Sequence, residues 1–157
     1  MRLSFLDICP KTYEIALILL FLPNKLMANN FYFNEGLKLF ESEKFEEAKF
    51  KFEQNIVFNP KSEMSYLYLS KIFKNLNDKN LQEKNLNTVI LLNPKNEEAI
   101  YNLVKLKLEA SDYKKSKELN ERLNNICDKF CNQSKNLKIE IEEIDAIAST
   151  AGPGLIV

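Results

Sequence analysis

The residues able to do chemistry in this 157-residue chain are few. Cys127 and Cys131 stand four apart in a stretch that reads as helical, which would bring both thiols to one face. Two thiolates supply half of a zinc site, but the sequence has no His and no second cysteine pair to complete it. A disulfide between neighbours on a continuous helix would distort the backbone, so the spacing favours packing of both cysteines beside Ile126 and Phe130 as small apolar residues. The carboxylate pairs Glu46-Glu47, Glu97-Glu98 and Glu142-Glu143 are adjacent in sequence and diverge by about 100° on a helix, so neither member helps the other on one substrate. With no histidine there is no general base of the usual kind and no Ser-His-Asp or Cys-His arrangement. No glycine-rich phosphate loop exists among only three glycines. These absences argue against an enzyme and imply no cofactor, no metal site and no small-molecule substrate.

What remains is a surface, and the elements presenting it are helices. Three Gly and five Pro in a chain 45% hydrophobic and 28% charged describe long helices with few special turns. The length suits one domain. Twenty-two basic and 22 acidic residues cancel, which gives no general attraction for nucleic acid.

Compared with itself, the chain repeats every 34 residues. Asn59-Pro60 recurs as Asn93-Pro94, each after an apolar run. The same step aligns Tyr32 with Tyr66 and Ile100, Gly36 with Ser70 and Val104, and Leu39 with Phe73 and Lys107. In the first unit Tyr32, Gly36, Leu39 and Phe40 share the face of a first helix, A. After the polar turn at Glu43-Lys44, Phe45, Ala48, Phe52 and Ile56 share the face of a second, B. Gly36 allows close approach of helix B, with Ala48 as its small partner. Pro60 stops helix B, and Ser62 is placed to cap the next helix.

This pattern resembles the tetratricopeptide-repeat (TPR) family over roughly Asn29 to Phe130. The resemblance implies an all-α, right-handed α-solenoid of three helix-turn-helix repeats, 29–62, 63–96 and 97–130, with a C-terminal capping helix and frayed tail in 131–157. The second unit puts Gln82 where the family has Ala, which would loosen or rotate its B helix. The third has Val104 in the small slot, Asn120 in the aromatic one and Asp128 in place of proline. Beyond Phe130 the 34-residue pattern stops. Ser134 then offers a cap for a helix carrying Leu137, Ile141, Ile144 and Ala148, while the alternation of Leu137, Ile139 and Ile141 would suit a strand.

In the family the groove is lined by the non-packing side of the A helices. Here these positions are Asn30, Phe33, Asn34, Leu37 and Glu41, then Leu67, Tyr68, Lys71 and Asn75, then Tyr101, Asn102, Lys105 and Glu109. Phe33, Leu67, Tyr68 and Tyr101 would be anchors, and Lys71 and Lys105, one period apart, could follow acidic groups on a peptide. Phe33 and Tyr68 fit an inter-repeat core equally well. One branch of the family clamps a terminal carboxylate with Lys, Asn, Asn, Lys and Arg. Those slots hold Phe33, Leu37, Tyr68, Glu98 and Asn102, which rejects that role. The resemblance implies a non-catalytic adaptor or scaffold for a peptide or helix of a protein partner. The alternative is a structural subunit of a larger or homo-oligomeric assembly.

Residues 1–28 are laid out like a secretory signal peptide, with an apolar run at 15–22 (IALILLFL), a breaking Pro23 and Ala28 ahead of Asn29. The run is too short to span about 30 Å of hydrocarbon. Asp7, Glu14 and the bulky Leu26 depart from that layout, and an apolar helix packed on the domain is the competing reading. Export would place the protein in the periplasm or at an envelope surface; otherwise it is cytoplasmic.

Overall fold

The computed structural model describes residues 31–150, with side chains described as far as residue 147. The readings of residues 1–28 and of the tail 151–157 lie outside the described residues. All regular structure among the described residues is helical: α1 (31–41), α2 (Phe45–Phe58), α3 (Glu63–Asn75), α4 (Lys79–Leu92), α5 (Glu97–Glu109), α6 (Tyr113–Ile126) and α7 (Cys131–Thr150). The chain divides into two compact units at Ser62/Glu63, one holding α1 and α2 and the other α3 to α7.

Helix starts keep the sequence period. The helices α2, α4 and α6 begin at Phe45, Lys79 and Tyr113, and α3, α5 and α7 at Glu63, Glu97 and Cys131, each 34 residues apart. The turns show why. Glu43, Asn77 and Ser111 all adopt the left-handed conformation, with φ of 59°, 58° and 57°. The next amide in each case reaches back to close the preceding helix, from Lys44 to the Leu39 carbonyl, Asp78 to Phe73 and Asp112 to Lys107, all at 2.9 Å. This satisfies carbonyls that a helix end otherwise leaves bare. The following helix is then capped at its N-terminus by Asp78, which accepts from the Leu81 amide at 2.9 Å, and by Asp112, from Lys115 at 3.1 Å. Lys44, at the same place before α2, makes no side-chain cap.

In the first unit α1 packs on α2 through Gly36. A Cβ built there would stand 2.9 to 3.1 Å from the Phe52 ring, so the glycine leaves room for a buried phenylalanine. Ala48, the small partner expected for Gly36, is fully buried, and the ring of Phe52 is what requires the glycine. Phe33 packs edge-on against the same ring at 5.6 Å, and Phe40 against Phe45 at 5.7 Å.

In the second unit α3 packs on α4, α4 on α5, α5 on α6 and α6 on α7. Leu67, Leu86, Ile100, Leu103, Val104, Leu123 and Leu137 belong to its continuous core. Gln82 does not break the register, since α4 starts on period and Gln82 is buried. Pro94 ends α4, and Asn96 caps α5 by accepting from the Ala99 amide at 2.8 Å.

The expected C-terminal helix is present, and 137–141 lies within it and not in a strand. The end of the unit departs from expectation in two ways. First, α7 starts on period at Cys131, so Ser134 lies inside its first turn. There it is buried, not capping; Asn120 donates to its carbonyl at 2.9 Å, and its hydroxyl donates to the Asn120 side-chain oxygen at 3.1 Å. Second, Cys127 and Cys131 form a disulfide with Cα atoms 5.2 Å apart. A disulfide at this spacing distorts only an unbroken helix; here α6 stops at Ile126, Cys127 is extended (φ −63°, ψ 141°), and the bridge spans a bend that joins two helices.

Candidate functional site

The A helices of the second unit, α3 and α5, carry most of the residues expected to meet a partner. Leu67 is a correction: it is 2% exposed inside the core and serves packing, because the α3 positions facing α4 and α5 include it. Tyr68 is half-buried on the rim, with the Lys71 ammonium 4.8 Å from its ring centroid. Lys71 also pairs with Glu98 of α5 at 2.7 Å. Its charge is therefore matched within the fold, and it does not stand as a free cation for an acidic partner.

On α5, Tyr101, Asn102 and Lys105 are half-buried. Tyr101 leans on Phe130 at 5.4 Å, which fixes one face of its ring, and Lys105 stands 5.8 Å from its centroid. Among the described residues no carboxylate lies within ion-pair distance of Lys105. Of the two lysines one period apart, only this one is uncommitted. The structure thus brings together Tyr68, Lys71 and Glu98, and separately Tyr101, Asn102 and Lys105. Phe33 and Leu37 are half-buried members of the first unit, Phe33 being held by Phe52.

Of the adjacent carboxylate pairs, Glu97 and Glu98 are both engaged within the fold. Glu97 accepts from the backbone amides of Lys129 and Phe130 at 2.9 and 2.8 Å, holding the bend that carries the disulfide. The Phe130 amide is the main reason its carboxyl is held below the usual range, with the Asp128 and Lys129 amides and the Lys129 charge adding to it and burial opposing. One period earlier, Glu63 accepts from the side chains of Asn93, at 3.0 Å, and Asn96. Sequence reading missed this role, although Glu63 and Glu97 stand 34 residues apart immediately after Ser62 and Asn96. Glu46, Glu47, Glu142 and Glu143 are exposed. No group of three or more potential metal ligands occurs among the described residues, and no described helix is long and apolar enough to cross a membrane.

No family model matches the chain, and no curated protein matches it in sequence. Solved structures do match. The TPR2B domain of yeast Sti1, in complex with Hsp70, superposes with a TM-score of 0.68 at 13% identity, over 74% of this chain and 98% of that one. The type III secretion chaperone SycD of Yersinia enterocolitica, bound to a peptide of the translocator YopD, gives 0.67 at 12% identity over 76% and 93%. The second TPR domain of human RPAP3, in complex with an HSP70 peptide, gives 0.65 at 15% identity over 75% and 98%. Identities this low speak to fold, and the fold is that of the TPR helical solenoid.

Proposed function

We propose that this protein is a non-catalytic adaptor that binds a peptide or helix of a protein partner on the A helices of its solenoid. The observation that carries the reading is the match in fold to domains captured with peptides of Hsp70, HSP70 and YopD. In support, α5 offers a half-buried tyrosine, an amide and an uncommitted ammonium, Tyr101, Asn102 and Lys105, as a small number of polar groups on an apolar backing. Recognition by a row of lysines is not favoured, since Glu98 neutralises Lys71. A photo-crosslinking residue at Asn102, compared with one at exposed Glu121 on α6, tests it in source cells. Adducts to one partner segment from position 102 alone are expected, and equal adducts from both positions would sink the reading.

The structural-subunit reading has one observation behind it. Val57 and Leu91, one period apart on α2 and α4, are 75% and 81% exposed, which is unusual for large aliphatic groups left without a partner. A concentration-dependent mass abolished by Leu91→Glu would favour it.

We also propose a periplasmic or envelope compartment for the protein, with residues 1–28 as a signal peptide. The Cys127–Cys131 disulfide supports this, because such bonds persist where the surroundings are oxidising. The intact mass of the protein from fractionated source cells decides: a chain beginning at Asn29 outside the cytoplasm supports export, and a full-length chain in the cytosol removes it.

A further inference from the structure

The repeat places Ile72, Leu106 and Glu140 at one position of α3, α5 and α7. Ile72 and Leu106 are buried, 0% and 4% exposed, and Leu106 belongs to the continuous core of the second unit. Glu140 is exposed. Where its aliphatic counterparts would sit, a cleft of about 330 Å³ opens between α5, the start of α6 and α7. Its apolar lining is Leu108, Tyr113 and Ile144, and its charged lining is Lys105, Glu109 and Glu140. The volume falls in the range of small ligand sites, about 300–1,000 Å³. Lys105 belongs both to this cleft and to the α5 surface described above, so the two are continuous.

We propose that the cleft takes one aliphatic side chain of the bound peptide, with a lysine or arginine beside it directed at Glu140. The apolar half is the vacancy that Leu106 fills one repeat earlier. Two carboxylates and one ammonium line the cleft, and Glu109 is already 3.4 Å from Lys79, whereas Glu140 has no ion pair among the described residues. A basic neighbour pairs with Glu140, while an acidic one would meet two carboxylates with only Lys105 to offset them. This inference rests on the adaptor reading and narrows it to a peptide class.

The experiment is selection of a random phage-displayed peptide library on the wild-type protein, followed by fluorescence anisotropy of the enriched peptides on variants. Enriched sequences should pair Leu, Ile or Met with an adjacent Lys or Arg. Glu140→Leu, which restores the filling residue of the earlier repeats, should weaken them about tenfold or more, and Ile144→Ser should weaken them with no change of charge. Glu140→Lys should reverse the preference towards acidic neighbours. Peptides that lose binding on Asn102→Arg but bind Glu140→Leu and Ile144→Ser within about twofold of wild type would overturn the cleft and leave the adaptor standing. No enrichment at all would overturn both. A dimer of the free protein that dissociates on Glu140→Leu would give the cleft to a second copy and overturn the peptide.

Discussion

The first and the last helix pairs fill the same two repeat positions in opposite ways. In α1 and α2 the positions hold Gly36 and Phe52, and the ring lies so close that even a methyl group would collide with it. In α5 and α6 they hold Val104 and Asn120, both buried. The middle pair, Ser70 and Leu86, falls between them in size at each position and is equally buried. As the A-helix residue grows, the B-helix residue shrinks, so the repeat keeps a roughly constant filling of the two positions and not a fixed residue. The last pair differs in kind as well. Asn120 is tied by hydrogen bonds to Ser134 of α7, and the disulfide joins the same two helices at their connection. An apolar contact thus gives way to a polar and covalent one where the stack meets its last helix.

The strongest way to break the comparison is Gly36→Leu, which forces four carbons into space already taken by Phe52. A loss of about 3 kcal/mol is expected, read as a lower urea midpoint. If volume compensation is the rule, Gly36→Leu combined with Phe52→Leu recovers part of that loss. Additive losses would show that the two positions are filled independently.

Asn120→Ala tests the other end. It removes the amide that donates to the buried Ser134 carbonyl and the side-chain oxygen that accepts from its hydroxyl, leaving the hydroxyl only the longer bond, 3.4 Å, to the main-chain carbonyl of residue 120, at a cost of about 2 kcal/mol by thermal or urea unfolding. Adding Ser134→Ala should cost little more, because the two side chains act as a unit. A full further loss would mean that Asn120 acts through packing alone. A gain is expected at the first pair: Lys44→Asp supplies the cap that Asp78 and Asp112 provide in the other two turns and should add about 1 kcal/mol.

The spacing of apolar residues made the helices and their order legible, since a 34-residue period with proline stops leaves few alternatives. The turns were not legible in detail. Glu43, Asn77 and Ser111 adopt a conformation that usually announces itself by glycine, and here the backbone bonds of the turn hold it without one. Ser134 looks like a cap, which starts the last helix four residues late, and the buried Asn120 explains why a serine is there. The disulfide was missed for a related reason: four-residue spacing says one face of a helix, and nothing in Ile126-Cys127-Asp128 marks the helix end. For the proposed site, register places Tyr101, Asn102 and Lys105 together on α5, whereas the burial of Leu67 in the core and the pairing of Lys71 with Glu98 depend on three-dimensional neighbours.

The smallest expected effect concerns the two connections that Glu63 and Glu97 hold. Glu63 grips side-chain amides of an Asn-Pro turn, while Glu97 grips backbone amides of the bend where the proline is absent. Because the folded Glu97 carboxyl is held below its ordinary value, chiefly by the Phe130 amide, its contribution is complete above the unfolded value of about 4.3 and is lost as pH falls through the folded one. Glu97→Gln should therefore lower the unfolding midpoint slightly at pH 7, and the gap from wild type should close as the pH is taken below about 4. A gap that stays constant with pH would mean that the carboxylate charge contributes nothing to the bend. The disulfide and the Asn120–Ser134 pair would then be what holds α6 and α7 together where the Asn-Pro turn is missing.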